Sequence, residues 1–225
     1  MNNLFTEALK QLSTQLTVMG NTVSDQIFKA TQSYIDHDKA EAQALIQHDQ
    51  SINSSEVDLE KQALTLMTLQ QPVADDFRNV ITILKSSADL ERIGDHATSI
   101  ARETIRVKGT HRIDEIEAQL AVLSKLIRNM LADALAASEA RDPDKAKTIA
   151  ARDIEVDRQF DAIRQAVISA MQQDTNVAQA GTSYLFVVKL LERIGDRIVN
   201  LAEEVVYDQT GEIIELNQGR HTEDE

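Results

Sequence analysis

The stretch Leu90-Glu-Arg-Ile-Gly-Asp95 recurs without change at Leu191-Glu-Arg-Ile-Gly-Asp196, 101 residues further along a chain of 225 residues. Such an identity at a single spacing indicates an internal duplication into two units of about 100 residues. If each copy is helical, its Glu and Asp lie four residues apart and point to the same side of the helix. Two like charges placed there repel each other, and a glycine inside a helix costs about 1 kcal/mol relative to alanine. A requirement other than helix stability therefore selects these residues, and the repeat is the first place to look for function.

The composition of the chain favours a helical protein. Apolar residues make up 42% of the sequence, enough for a packed core, whereas aromatic residues make up 4% and there are only 7 glycines and 2 prolines. Strands need β-branched and aromatic residues between frequent turns, so we expect an all-α fold. The absence of cysteine excludes disulfides, thiolate metal ligands and a cysteine nucleophile.

The charge and hydropathy of the chain limit its expected cellular location and the classes of partner it can bind. The net charge of −14 disfavours binding to nucleic acid, because phosphate contacts need clustered Lys and Arg. No apolar run approaches the roughly 20 residues that cross a bilayer, so direct membrane insertion is not expected. The first residues, Met1-Asn-Asn-Leu-Phe-Thr-Glu7, lack the basic start and the apolar stretch of a signal peptide. We expect a cytoplasmic protein whose acidic surface attracts cations and basic patches on other proteins.

Hydrophobic periodicity predicts six long helices with short turns between them. Each of the two prolines, Pro72 and Pro143, suits the first position of the helix that follows it. Long helices joined by short turns pack as antiparallel bundles, so we expect two tandem, duplicated three-helix bundles. The predicted helices cover residues 3–33, 39–70, 73–107, 113–139, 143–172 and 177–207. The first bundle occupies residues 1–108, the second occupies residues 109–207, and residues 208–225 form a polar, acidic, flexible tail.

Acidic residues form rows on four of these helices. The repeated Glu–Asp pairs and one further Glu lie along the edge of the apolar stripe of the third and sixth helices. The middle helix of each half carries a matching row, in which an Asp is followed four residues later by Asp or Asn. We predict that the two rows of each half face each other across a groove. The residues of these rows are Asp49, Asn53, Glu91, Asp95, Asp153, Asp157, Glu192, Asp196 and Glu203.

Other polar residues of the repeated helices are predicted to face solvent. Four of them lie opposite the apolar stripe of the last helix, and a histidine occupies the corresponding face of the third helix. These residues are Arg193, Arg197, Asn200, Glu204 and His96.

Four or five carboxylates around one groove repel one another at a cost of several kcal/mol unless a cation lies between them. Ligation by oxygen alone suits Mg²⁺, Ca²⁺, Mn²⁺ or iron, and bridging carboxylates can hold more than one ion. His48, beside Asp49, could add a nitrogen ligand. The simpler interpretation is that the acids form a solvated helix face, which is the usual role of one such pair. The duplication, the edge position and the second acidic row favour a metal site.

Three motifs resemble the PhoU family, whose members are bacterial and archaeal accessory proteins of phosphate transport. They are the doubled repeat, its extensions Asp95–Ala101 and Asp196–Glu203, and Gln71-Pro-Val-Ala-Asp-Asp-Phe-Arg78, and the resemblance covers about residues 4–207. The resemblance implies two three-helix bundles, a cytoplasmic homodimer, and negative regulation of phosphate uptake and phosphate-starvation signalling. It also implies two partners, the ATPase subunit of the phosphate ABC transporter and a sensor histidine kinase.

The resemblance further implies metal clusters, with iron or zinc as the expected ions, bound through Glu/Asp-x-x-x-Asp motifs that match the four pairs above. Two positions depart from that pattern. Asn53 replaces an acid, and Arg102 stands where the second half has Glu203. Both changes reduce the negative charge of the first site. We therefore predict that the second half, with no arginine among its acids, binds metal more strongly.

Two functions remain open at this point. One is a regulatory adaptor without enzymatic activity, whose metal sites shape a surface for protein partners. The other is a metal-dependent phosphohydrolase that uses the carboxylate clusters and bound water. The adaptor is favoured, because the sequence contains no Gly-rich phosphate loop, nucleophile elbow or catalytic triad. A helical scaffold that binds no metal is a third, simpler interpretation.

Overall fold

The computed structural model describes residues 3–107 and 112–216, and the regular elements within them are helices alone, which confirms the predicted all-α fold. No helix in these ranges is apolar over a length that could cross a bilayer. The predicted domain boundary after residue 108 and the last part of the predicted tail, residues 217–225, lie outside the described residues. The α-helices are α1 Asn3–Ile35, α2 Lys39–His48, α3 Gln50–Gln70, α4 Asp75–Arg106, α5 Asp114–Ala140, α6 Pro143–Gln173 and α7 Ala178–Thr210, the last preceded by a 3₁₀ turn, Thr175–Val177.

The helices form two bundles of the same plan. In the first half α1 packs along α4, and α2 and α3 lie against both of them. In the second half α5, α6 and α7 all contact one another. The two copies of the repeat lie on α4 and α7, the last helix of each bundle, and their first residues, Leu90 and Leu191, are fully buried. The repeated motif therefore occupies equivalent places in the two halves, as the duplication predicted.

The second predicted helix is two helices in the structure. α2 ends at His48 and α3 begins at Gln50, so the prediction of one continuous helix over residues 39–70 is wrong at Asp49. Asp49 keeps right-handed helical torsions (φ −52°, ψ −38°), but its carbonyl accepts the N–H of Ile52, three residues further on, at 3.2 Å. A bond to the third residue tightens the turn relative to an α-helix. The helix thus changes its pitch at a predicted metal ligand.

One of the two prolines begins a helix as predicted. Asp142 accepts two backbone N–H groups of the first turn of α6, at 3.1 and 3.0 Å, and Pro143 takes the first helical position. The same prediction for Pro72 is wrong, because α4 begins at Asp75. Two of the residues between α3 and α4 adopt positive φ angles of 46° and 50°, so the chain turns twice before it becomes helical again.

The last helix is longer than predicted. α7 ends at Thr210, and Asp208 is buried where its carboxylate contacts Arg141 Nε at 2.9 Å. Beyond the helix, the chain is attached to the second bundle, since the backbone N–H of Leu216 donates to Glu203 Oε1 at 2.8 Å. The described part of the predicted tail is thus bonded to the body of the protein.

The two halves meet where α4 packs on α7 and where α1 packs on α5. The contact between α4 and α7 includes polar pairs. Asp89 Oδ1 accepts hydrogen bonds from Arg197 at 3.2 Å and from Asn200 at 3.4 Å, and Lys85 Nζ lies 2.8 Å from Glu204 Oε1. The prediction that Arg197, Asn200 and Glu204 face solvent is therefore wrong, because they face the other half of the molecule.

His96 lies in the same region and is half-buried, so its predicted exposure to solvent is also wrong. Burial lowers the pKa of its imidazole, and the positive charges of Arg193 and Arg197 lower it further. Arg193 itself is exposed, as predicted.

Candidate functional site

In the first half, the structure brings acids of the two predicted rows together. Glu91 and Asp95 lie on α4, Asp49 lies at the junction of α2 and α3, and Glu56 lies on α3. Burial raises the pKa of Glu91, and the charges of the other three acids raise it further, whereas Arg92 lowers it. A carboxyl with a raised pKa among three other acids lies in an excess of negative charge, which favours a cation.

Asp49 has partners within the protein. Thr98 Oγ1 donates to Asp49 Oδ1 at 2.7 Å, and Arg102 Nη2 lies 3.6 Å from Asp49 Oδ2. Thr98 in turn accepts a hydrogen bond from Gln26 Nε2 at 2.6 Å. An ion bound at Asp49 would therefore compete with the Arg102 guanidinium. Asn53, four residues further on, is exposed.

In the second half, the glycine of the repeat allows a close approach of the two predicted rows. Asp153 on α6 is only 1% exposed, and a Cβ added to Gly195 on α7 would lie 2.8 Å from its Oδ1. Asp157 and Asp196 are half-buried on the same two helices. In the first half, a Cβ added to Gly94 would instead meet the Cδ1 atom of Ile52 at 3.2 Å. The glycine brings a buried carboxylate against the repeat only in the second half.

A lysine contacts the acids of the second half. Lys189 Nζ lies 2.8 Å from Glu192 Oε2 and 2.9 Å from Glu192 Oε1. Each half therefore has a cationic side chain on one predicted ligand, Arg102 on Asp49 and Lys189 on Glu192. That the second half binds metal more strongly than the first stays a prediction.

Glu203 lies in different surroundings from the other predicted ligands of the second half. It is seven residues beyond Asp196, which is about 10 Å along an α-helix. Its carboxylate accepts the N–H of Leu216, and its pKa is raised first by burial and then by the charges of Glu215 and Asp89. The structure places Glu203 with the C-terminal segment and α4, so its assignment to the same ion as Asp196 lacks a geometric basis.

The predicted ligands fit a metal ion in donor chemistry and in their placement on adjoining helices. Carboxylate oxygens are suitable ligands for hard and intermediate cations. In the side-chain positions of residues 3–107 and 112–216, however, no group of three or more His, Asp or Glu side chains is arranged to hold one. Binding would require these side chains to rotate toward the ion.

Three residues that interact with predicted metal ligands were not themselves predicted as ligands: Glu56, Thr98 and Lys189. His48, in contrast, was considered as a ligand but has another partner. Glu56 follows the spacing of the acidic row of the predicted middle helix, three residues after Asn53, and its charge raises the pKa of Glu91. No sequence signal distinguished Thr98 or Lys189, because both contacts depend on side-chain geometry. The ring of His48 is exposed, and its Nδ1 lies 2.8 Å from the carbonyl oxygen of Ala44, so that nitrogen is used within its own helix.

A protein-family model matches the chain twice, once in each half. The family model of the PhoU domain matches residues 16–104 and, a second time, residues 120–205. The chain belongs to the PhoU family. Each match contains one copy of the repeat, so the PhoU domain is the unit that is duplicated, and the family predicted from the repeat is confirmed.

Curated PhoU proteins match this chain almost from end to end. The "Phosphate-specific transport system accessory protein PhoU homolog" of Streptococcus pneumoniae serotype 4 is 35% identical over 217 residues, which cover 96% of this chain and 100% of its own length. The protein of the same name from Clostridium acetobutylicum is 34% identical over 95% of this chain and 98% of its own length.

Crystal structures of PhoU proteins have the same fold. The phosphate transport system regulatory protein PhoU from Streptococcus pneumoniae has a TM-score of 0.87 at 33% identity, and the match covers 94% of this chain and 99% of that one. PhoU from Pseudomonas aeruginosa has a TM-score of 0.86 at 30% identity, with 92% and 100% of the two chains covered. These matches confirm the predicted PhoU-like helical bundles.

The pKa of Glu91 provides a direct test of the acidic cluster. Replacing Asp95 with Asn lowers the pKa of Glu91, because it removes the neighbouring charge that raises this pKa most. NMR titration of the labelled carboxyl carbon measures the change, and Asp58→Asn, an exposed acid on α3, is the control that leaves it unaltered. An unchanged Glu91 pKa in Asp95→Asn would show that the two carboxyls do not interact.

The same pKa has a consequence for stability. Between the ordinary glutamate pKa and the raised one, the folded protein holds a proton on Glu91 that the unfolded chain has lost. The contribution of Glu91 to the free energy of unfolding therefore falls as the pH rises through that interval. Asp95→Asn makes this fall smaller, which chemical denaturation at a series of pH values measures.

Proposed function

We propose that this PhoU protein is a negative regulator of phosphate uptake and phosphate-starvation signalling. One observation carries the proposal: nearly the whole chain matches proteins named as accessory proteins of the phosphate-specific transport system. Its partners in this proposal are the ATPase subunit of the phosphate ABC transporter and a sensor histidine kinase, and it acts on them in the cytoplasm. It acts by contact as a homodimer and not as an enzyme.

The acidic clusters are proposed to bind metal ions. Asp49, Glu91 and Asp95 form one ligand set, and the second set consists of Asp153, Asp157, Glu192 and Asp196. Support comes from the excess negative charge around Glu91 and from the close approach of α6 to α7 at Gly195. Iron or zinc are the ions expected from the family, and Mg²⁺, Mn²⁺ or Ca²⁺ also suit carboxylate ligands. A bound ion would neutralise the carboxylates, and the rotated side chains would alter the surface that partners meet.

The net charge supports contact with basic partners. At −14, the chain attracts proteins with basic patches, and such association weakens with added salt because surface charges are screened over about 8 Å at physiological ionic strength. Glu204 is unsuitable for testing this attraction, because Lys85 holds it in the seam between the halves. Glu115, exposed at the start of α5, is suitable, and Glu115→Lys slows association without loss of the fold.

A deletion strain tests the proposed regulation. Loss of the gene leaves high-affinity phosphate uptake and phosphate-regulated transcription active in phosphate-rich medium, and the wild-type gene restores repression. The deletion strain is also complemented with variants of each acidic cluster, and the restored repression is compared with that of the wild-type gene. The variants are Glu91→Gln/Asp95→Asn for the first half and Glu192→Gln/Asp196→Asn for the second, and Asp58→Asn is the control. Unchanged uptake and transcription in the deletion strain contradict the proposal, and turnover of phosphoesters by the purified protein with Mn²⁺ or Zn²⁺ would then be measured.

Elemental analysis of the purified variants separates metal binding from regulation. We expect each paired variant to contain less metal than the wild-type protein, whereas Asp58→Asn contains the same amount. Equal metal content in all four proteins means that the acids form a solvated face and do not bind an ion. The regulatory proposal would then be tested by the deletion strain alone.

A further inference from the structure

A groove between α1 and α5 differs in charge from the rest of this acidic protein. It has a volume of about 380 Å³ and lies along one of the two contacts between the halves. Among the described residues that line it there is no Asp or Glu, although the whole chain carries 37 acids against 23 Lys and Arg residues. Its polar lining includes the side chains of Ser24, Ser124, Lys125, Arg128 and Asn129.

Within the part of the chain that the structure describes, Arg128 lacks the carboxylate partner that comparable arginines have. Three arginines in the described ranges are half-buried, and two of them, Arg78 and Arg197, form ion pairs with Asp75 and Asp89. No acid of residues 3–107 or 112–216 forms an ion pair with the third, Arg128. A charge that is partly removed from water gains from a nearby charge of opposite sign. Arg128 therefore favours an anion that residues 3–107 and 112–216 do not provide.

The guanidinium of Arg128 is held in place on the groove wall. Its Cζ atom lies 4.9 Å from the centre of the Phe28 ring, a cation–π contact, and its Nε donates to Ser24 Oγ at 3.4 Å. Because Nε is used in this way, the two terminal amino groups are the ones that remain for a ligand. A planar group with fixed orientation suits an oxyanion, which accepts two parallel hydrogen bonds from it.

We infer that this groove binds a phosphate group, carried either by inorganic phosphate or by a small phosphate monoester. The groove offers a guanidinium, the Lys125 ammonium, the hydroxyls of Ser24 and Ser124, and the Asn129 amide. These donors exceed what the two oxygens of a carboxylate can accept, whereas a phosphate dianion presents at least three oxygens and more charge. The volume leaves room for a small organic group beyond the phosphate.

Binding in the groove would bridge the two halves of the molecule. Ser24 and Phe28 belong to α1 in the first half, and Lys125, Arg128 and Asn129 belong to α5 in the second. A ligand that contacts both helices stabilises their contact, since it binds the folded state and not the unfolded one. The inference is independent of the proposed regulation, because it rests on the groove alone.

Isothermal titration calorimetry on the full chain tests the inference. Inorganic phosphate, glycerol 3-phosphate and sulfate are titrated separately at the same ionic strength into wild-type protein. We expect one of the two phosphates to bind more tightly than sulfate, and the tighter one identifies the source of the phosphate group. Arg128→Gln weakens this binding about 10- to 100-fold, the usual worth of a hydrogen-bonded charged group. Arg164→Gln, at an exposed arginine on α6, leaves it unchanged.

Any one of three results would overturn the inference. If neither phosphate binds, if sulfate binds as tightly, or if Arg128→Gln binds like the wild type, the groove is not a phosphate site. Circular dichroism checks that Arg128→Gln folds. If it does not, Lys125→Gln at an exposed position replaces it, with an expected loss of several-fold in affinity, and unchanged affinity in that variant overturns the inference as well.

Discussion

Replacing Glu117 with Ala lowers the free energy of unfolding by about 2–4 kcal/mol, because the variant loses the acceptor at the centre of a buried network. Glu117 is only 3% exposed at the start of α5. Its Oε1 accepts the hydroxyl proton of Tyr184 on α7 at 2.8 Å, and its Oε2 accepts from Arg112 Nε at 3.1 Å. The His37 ring at the end of α1 lies 3.6 Å from the same carboxylate.

The network joins three helices at one end of the molecule. Arg112 also donates to the backbone carbonyl of Ile35 at the end of α1. Burial raises the pKa of Tyr184, so its hydroxyl stays protonated and needs an acceptor that the alanine variant does not provide. The Arg112 side chain is 44% exposed and can be hydrated, which brings the expected loss to the lower part of the roughly 3–5 kcal/mol of a broken buried pair, or below it.

Urea unfolding followed by circular dichroism measures this effect. Glu115→Ala, two residues earlier and exposed, is the matched control and changes the free energy of unfolding by about 0.5 kcal/mol or less. Glu117→Gln, which keeps an acceptor oxygen for Tyr184, falls between the two. Equal stability of the Glu117 and Glu115 alanine variants would mean that the network contributes nothing to folding.

Replacing Gly195 with Val destabilises the protein by about 1–3 kcal/mol, because the new side chain has no space between α7 and α6. Even its Cβ would lie 2.8 Å from Asp153 Oδ1 and 3.2 Å from Val156 Cγ1. Neither neighbour moves easily, since Asp153 is buried and the side chain of Val156 is stiff and fully buried. The cost exceeds the small gain in helix propensity that valine has over glycine.

The first copy of the repeat provides the matched control. A Cβ added to Gly94 meets Ile52 Cδ1 at 3.2 Å, and that methyl group ends a longer side chain that can rotate. Gly94→Val therefore costs less than Gly195→Val in thermal or urea unfolding. Combining Gly195→Val with Asp153→Ala costs less than the sum of the two single changes, because the clash is shared. Equal costs at Gly94 and Gly195, or strict additivity, would contradict the role given to Asp153.

Local sequence was sufficient for the duplication and for most of the helices, but it missed the break at Asp49 and the later start of α4. The 101-residue repeat predicted two equivalent units, and Asp142-Pro143 predicted the start of α6, because capping and helix periodicity depend on neighbours a few residues apart. The candidate acids were found in the same way, since their spacing places them on one face of a helix. The same spacing also places Glu56 in the acidic row of the middle helix, and the binding of a metal ion by these acids stays a prediction.

Contacts between helices could not be predicted in this way. Arg197, Asn200 and Glu204 have the sequence pattern of a solvated face, but the structure places them against α4. A polar residue has the same periodicity whether its partner is water or a polar side chain of another helix. The sequence therefore determined which residues share a helix face. Only the packing of α4 on α7 decided what that face contacts, because it depends on residues more than 100 positions apart.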